Sequence, residues 1–233
     1  MKVGIMQPYF LPYIGYFQLL NAVDKYVIYD NIQYTKKGWF NRNRILQNGK
    51  DLLFSVSIEK DSDYLDVRER TVSAGFDRKK LLNQIRENYR KAPYFETVIP
   101  LIEKIINYDD ANLFNYIYHS VKEVCSYLGI DTEIIVSSTI YIDHSLKGQD
   151  KVLAICKALD ATDYYNAIGG QELYTIEDFR KENINLHFVS TNPIEYKQFK
   201  NEFVPWLSIL DVMMFNSVDE IKDMLNNYKL ISE

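Results

Sequence analysis

Cysteine is nearly absent: the 233 residues hold two, Cys125 and Cys156. Each falls within an apolar helical pattern, VKEVCSYLG and VLAICKAL, where a cysteine packs as a small hydrophobe. Neither a disulfide framework nor a zinc site is readable, and no tightly bound metal is expected. Positive charge is also in deficit. The 27 Lys and Arg stand against 32 Asp and Glu, a formal charge of -5, so there is no global positive field to hold a nucleic-acid backbone. The opening MKVGIMQPYF has one lysine and an apolar stretch cut by Gln7 and Pro8, too short for a secretory signal or a membrane span. A cytoplasmic protein with no membrane span is expected. No internal repeat, heptad or low-complexity segment occurs, and no G-x-S-x-G elbow that would set up a Ser/His/Asp hydrolase. What abounds is tyrosine, at 19 residues, a ring that serves equally as core filler and as the hydrogen-bonding wall of a polar-ligand pocket.

The length suits one α/β domain over 1–233. Residues 2–6 read as a short buried strand, and the following Pro-Tyr-Phe-Leu-Pro cannot continue a central sheet because proline lacks a donor. The run GYFQLLNAV from Gly15 is helical in character and 25–30 reads as a second strand, which opens a parallel sheet. Further strands are expected at 51–58 and 67–72, and helices at 77–90 and 110–128, with Pro93 and Pro100 bracketing a short one. The last third repeats the α/β signature: strand 133–136, helix 150–159, strand 163–166, helix 176–182, strand 185–188. A closing helix is expected at 218–228. The sheet then unites both parts of the chain in a parallel, Rossmann-like α/β fold, and residues 76–130 form a mainly helical insertion or cap.

Four loops follow strands and precede helices or further strands, and so converge on the carboxyl edge of the sheet, where ligands bind in open parallel sheets. The first, QPYFLPYIGYF, offers Gln7, Pro8, Tyr9, Tyr13, Gly15 and Tyr16; glycine lets a backbone approach a ligand, and helix-start amides hold phosphate or carboxylate. A rigid aromatic turn packed on the core is the competing reading. The second, DNIQYTKKGWFNRNRI, interleaves Lys36, Lys37, Arg42 and Arg44 with Trp39, Asn41 and Asn43, a composition suited to phosphates beside a stacked base or sugar, although a charged loop can simply be solvated. Asp30 at its head suits a general base, a cation or ribose ligand, or a cap on its own loop. The third, SSTIYIDHSLKGQDK, offers Ser137, Ser138, Lys147 and Lys151 for an anion and His144 as a catalyst or a hydrogen-bonding bystander. His119 and His187 read as packing residues. The fourth, NAIGGQELY, has Gly169 and Gly170, which permit a close-approach turn or only connect two elements.

Tyr13, Ile14, Gly15 and Tyr16 stand where the nucleotidylyltransferase superfamily carries His-x-Gly-His, in a similar strand-loop-helix context. Both histidines are replaced by tyrosines, which stay neutral at pH 7 and do not repeat the usual adenylyl-transfer chemistry. Over nearly the whole chain, MQPYFLPYIGYFQLL, VIYDNIQYTKKGWFNRNRI, the Ser-Ser before a Lys-Gly segment and ICKALDATDYYNAIGGQELY resemble the WbqC-like family. The resemblance implies a place in bacterial O-antigen and other surface-polysaccharide synthesis, with glycyl or another acyl group added to an amino sugar. The expected partner is then a dTDP- or UDP-linked amino sugar. Pantothenate synthetase, of the His-x-Gly-His superfamily, forms an amide through an acyl adenylate, which makes ATP one expected co-substrate; the missing histidines argue instead for an already activated donor, an acyl or aminoacyl thioester, and the choice between the two stays open. A nucleotidylyltransferase or ATP-dependent amide ligase, and a non-catalytic sugar-nucleotide binder, are the alternatives.

Overall fold

The computed structural model describes residues 1–232. Its centre is a six-stranded sheet in the order β5-β2-β1-β6-β7-β8, built from β1 (Lys2–Met6), β2 (Lys25–Ile28), β5 (Glu133–Val136), β6 (Asp163–Ala167), β7 (Asn185–Thr191) and β8 (Tyr228–Ser232). The first five are parallel and β8 runs antiparallel to β7. This is a Rossmann-like α/β arrangement. The chain moves outward from β1 through β2 to β5, then returns to lay β6 and β7 on the other side of β1. The switch in direction falls between β1 and β6, the kind of position at which open α/β sheets bind ligands.

Helices cover both faces. On one, α5 (Gly148–Ala158) and α6 (Ile176–Lys181) pack Val152, Ile155, Cys156 and Phe179 against Val3, Ile5, Tyr164 and Phe188. On the other, α1 (Ile14–Asn21), α2 (Arg78–Tyr89), α3 (Phe95–Ile106), α4 (Leu113–Leu128), α7 (Ile209–Phe215) and α8 (Val218–Leu225) share one contiguous apolar core with the sheet. Both cysteine thiols are buried within these layers, and burial pushes each up to about 12, so they are inert packing groups. Helix limits are set locally. Asn112 caps α4 by accepting from Asn115 N at 3.1 Å, and Gly129 ends it in the left-handed region at φ 68°. Ser217 and Glu220 close a capping box on α8. Among the described residues no helix is long and apolar enough to cross a membrane.

Four expectations are corrected. Residues 67–72 are not a strand: Asp66 and Glu69 cap each other's backbone and wind Val67–Glu69 into a 3-10 turn, leaving only isolated bridges at Thr71 and Val72. Pro100 lies inside α3 rather than at a boundary, because Val98, Ile99, Ile102, Ile105 and Ile106 form a buried stripe that runs past it and tertiary packing outweighs the lost amide. The closing helix stops at Leu225 and the chain turns back to add β8 to the sheet edge. The end of the second loop is itself a strand, β3 (Arg42–Gln47), paired with β4 (Lys50–Ser55) around a tight turn at Asn48 and Gly49, whose φ values are 50° and 74°. Asn43 and Ile45 face inward and Arg42 and Arg44 outward, the alternation of a half-buried strand.

Candidate active site

The loops after β1, β2, β5 and β6 stand at one edge. After β1, Tyr16 Oη donates to Gln7 O at 3.1 Å and Tyr9 Oη to Gln7 Oε1 at 3.2 Å. Tyr16 is buried and burial raises its hydroxyl far above the usual tyrosine range, so of the first loop it is Gln7, Tyr9 and Tyr13 that reach the surface. Pro8 is buried beneath them. The Tyr13 ring folds against Gly15, where a Cβ would lie 2.2 Å from its hydroxyl oxygen. Phe10 N donates to Phe40 O at 3.0 Å, tying the first loop to the second.

Asp30 heads a buried polar network between β2 and β5. Its Oδ1 accepts from Ser137 Oγ at 2.8 Å and Ser138 N at 2.9 Å, and its Oδ2 lies 3.7 Å from Arg68 Nη1. Burial works to raise the carboxyl's pKa, but the hydrogen bonds from Ser138 and Ser137 outweigh it and hold the group below the usual carboxylate range. An anion held this way is a poor proton acceptor at neutral pH. The Ser137 hydroxyl also lies 2.6 Å from Asn31 Oδ1, and Asn31 Nδ2 meets His144 Nδ1 at 3.0 Å. With His144 Nε2 at 3.0 Å from Ile140 O, the ring satisfies both neighbours as the Nε2–H tautomer, accepting from Asn31 and donating to Ile140. Its only lone pair is thus taken.

Lys151, in the first turns of α5, is buried, with Nζ 3.3 Å from Asn31 O and 5.3 Å from the Tyr29 ring centre. Burial is the largest cause that lowers its pKa; Asp66 and Asp30 oppose the shift and Arg68 adds to it. Asp66 is shifted upward, chiefly by burial and then by Glu69. Tyr29, Asn31, Asp66 and Arg68 join this candidate site, and the sequence alone does not single them out. The Asp66–Glu69 spacing, Ser/Thr/Asp-x-x-Glu, was the available signal for a turn that brings Arg68 here. Lys147 precedes α5 and is exposed, apart from this network.

The cationic loop is more committed to protein than its composition suggests. Lys36 pairs with Asp63 at 2.8 Å; Arg42 donates to Gly38 O at 2.9 Å and to Lys37 O; Arg44 reaches Asp51 at 3.4 Å and Trp206 O at 3.2 Å. Lys37 is exposed. The guanidinium carbons of Arg42 and Arg44 lie 5.7 and 5.5 Å from the Trp39 ring centre. Asn41 and Asn43 are buried braces, bonded to Val56 O and to Leu11 O. After β6, Gly170 leaves room for the Asn166 amide, whose Nδ2 would lie 2.3 Å from a Cβ, while Gly169 faces open space. Leu11 and Trp206 hold φ of 44° and 61°, each a cost on the order of 1–3 kcal/mol for a side-chain-bearing residue. Two surface concavities lie elsewhere, on the outer side of α2 around Asp77, Lys80, Asn83 and Glu87, and beside Ser73, Arg78 and Asp110. Among the described residues no cluster of three or more His, Cys, Asp or Glu is arranged to hold a metal ion.

The family model described as the WbqC-like protein family matches residues 7–223. An uncharacterized protein of Mycobacterium tuberculosis is 30% identical over 229 residues, covering 96% of this chain and 97% of its own length. No solved structure matches the chain.

Proposed function

The chain belongs to the WbqC-like protein family, and from that premise we propose that it transfers an acyl or aminoacyl group, glycyl among them, to the amino group of a dTDP- or UDP-linked amino sugar in bacterial surface-polysaccharide synthesis. The observation that carries the reading is the union, at the carboxyl edge of a parallel sheet, of a cation- and indole-bearing loop with a buried lysine, Lys151, whose Nζ meets Asn31 O and the Tyr29 ring within electrostatic reach of Asp30, Asp66 and Arg68. In this reading Lys37, Arg42 and Arg44 face the pyrophosphate. The sugar amine attacks the acyl carbonyl of an activated donor such as a thioester, the C–N bond forms and the thiolate leaves with the bonding pair. The amine proton passes to Lys151 Nζ, whose ammonium is then stabilised by Asp30 and Asp66. Asp30 and His144 position this group, since neither has a lone pair suited to the task.

Calorimetric and thermal-shift titration with UDP, dTDP, GDP, ATP with Mg²⁺ and an acyl-coenzyme A tests the reading, followed by mass analysis of a nucleotide-linked amino sugar incubated with donor. Stabilisation by a nucleoside diphosphate and a gain of acyl mass are expected. Binding of ATP with Mg²⁺ alone would replace this reading with an adenylating ligase or nucleotidylyl transfer. A nucleotide sugar that binds and never gains mass would leave a non-catalytic binding protein.

A further inference from the structure

The connection 192–208 between β7 and α7 contains no helix or strand, and it presents Trp206 in an unfavourable way. The residue adopts left-handed φ, which a bulky side chain rarely does, yet it is 60% exposed, so apolar burial does little to offset the strain. Neighbouring elements impose the conformation. Arg44 Nη2 donates to Trp206 O at 3.2 Å, Ser208 N donates to Arg44 O at 2.9 Å, Ser208 Oγ donates to Leu11 O at 2.7 Å and Ile209 N donates to Pro12 O at 2.8 Å. Leu11 is itself left-handed and is held also by Asn43 Nδ2 at 2.9 Å. Three segments are thus cross-linked to hold one indole out at the surface. Persistent strain of this kind clusters at ligand-binding positions.

The surroundings define what the indole faces. Tyr13 tilts against it with ring centres 5.8 Å apart. Arg44, bonded to the backbone carbonyl of Trp206, lies over the ring of Trp39, which is 39% exposed, and Arg42 lies over the same Trp39 ring. Arg44 is partly exposed, and its Nη1 and Nη2, each bonded once, to Asp51 and to Trp206 O, keep further N–H groups that an acceptor on a ligand can meet. A flat aromatic surface beside guanidinium groups suits a planar heterocycle that carries negative charge. We propose that Trp206 is the stacking platform for the base of a nucleoside diphosphate, with Arg44 as its adjoining donor. This rests on the nucleotide-sugar reading above and adds to it the subsite that selects the base.

The chain has two tryptophans, Trp39 and Trp206, the first under the Arg44 guanidinium and the second bonded to it through its backbone carbonyl, so intrinsic fluorescence reports the site without a label. UDP, dTDP, uridine, pyrophosphate and glucosamine are titrated against wild type, Trp39→Phe, Trp206→Ala and Trp206→Gly, with calorimetry in parallel. Quenching by UDP or dTDP that survives Trp39→Phe is expected, with affinity falling about 5- to 150-fold in Trp206→Ala. Trp206→Gly is the sharper probe: glycine accepts positive φ freely, so its melting temperature should equal or exceed the wild type's while nucleotide affinity drops. If calorimetry finds nucleotide binding that the Trp206 variants leave unchanged, or if glucosamine alone quenches where UDP does not, the platform is wrong and the nucleotide-sugar site lies elsewhere or is read differently. If wild type binds no nucleotide by calorimetry, the functional reading fails and the platform fails with it.

Discussion

Tyr89 Oη donates at 2.7 Å to the carboxylate of Asp211, a residue with no exposed surface. The carboxylate's other donors, Tyr196 Oη and Gln198 Nε2, also at 2.7 Å, are neutral too. Burial raises the pKa of Asp211, and the three hydrogen bonds offset it only in part. The native state therefore retains this proton to higher pH than the unfolded chain. Stability from Asp211 is fully present below the ordinary carboxylate pKa and is lost as pH rises through the folded value. Asp211→Asn should flatten that part of the stability-versus-pH curve in urea unfolding. Asp211→Ala, which leaves three buried polar groups facing a cavity, should cost about 2–4 kcal/mol.

Asp30 carries the opposite sign. Its folded pKa is depressed, so its contribution is present above the ordinary carboxylate pKa and disappears as pH falls through the folded value. Asp30→Ala should lose about 1.5–3 kcal/mol at pH 7, and the deficit should shrink on acidification; an unchanging deficit would mean that the carboxylate is not held as an anion.

Lys151 separates chemistry from binding. Lys151→Met should leave nucleotide affinity within about twofold, since it removes no phosphate contact, and lower turnover by about 10²–10⁴-fold, the usual worth of a proton acceptor. In the wild type the rate should climb with pH as the lysine becomes neutral. Equal losses in binding and turnover would make it a substrate-binding cation instead.

His144 should matter little to folding. It is exposed and bonded to one side chain and one carbonyl, so His144→Ala should shift stability by about 0.5 kcal/mol or less, read by chemical denaturation. Its influence on turnover should act through Asn31 and be restored by His144→Gln, which can donate and accept in the same directions.

Gly49 has φ 74°, and a Cβ there would lie 2.9 Å from the Asn201 side chain. Gly49→Ala should destabilise the protein by about 1–2 kcal/mol. Because the hairpin carries Arg42 and Arg44, nucleotide binding should weaken together with the melting temperature.

The parallel strands were legible because each is a short apolar run followed by turn residues, and the convergence of loops followed from that topology. The hairpin has a signal of its own, since Asn48–Gly49 is a strong two-residue turn pair, but the charges of Arg42 and Arg44 mask the inward alternation of Asn43 and Ile45. Arg68 was hidden within a stretch whose valines resemble a strand until the Asp66–Glu69 cap is noticed. Trp206 had no local signal at all. Its conformation depends on Ser208 meeting Leu11, a contact between residues 197 positions apart, which periodicity within a window cannot reach.

β1 lies in the middle of the sheet although it precedes every other strand. Its pairing with β2 closes early, Val3 opposite Lys25, whereas its other edge must await β6, with Lys2 opposite Asp163. On a ribosome, more than half of the chain emerges before that edge is covered, and the pairing has high contact order, which slows folding. During this interval the open edge of β1 invites another nascent chain to pair with it. Yield in cells should therefore respond to translation rate and chaperone supply more than the stability of the finished protein would suggest.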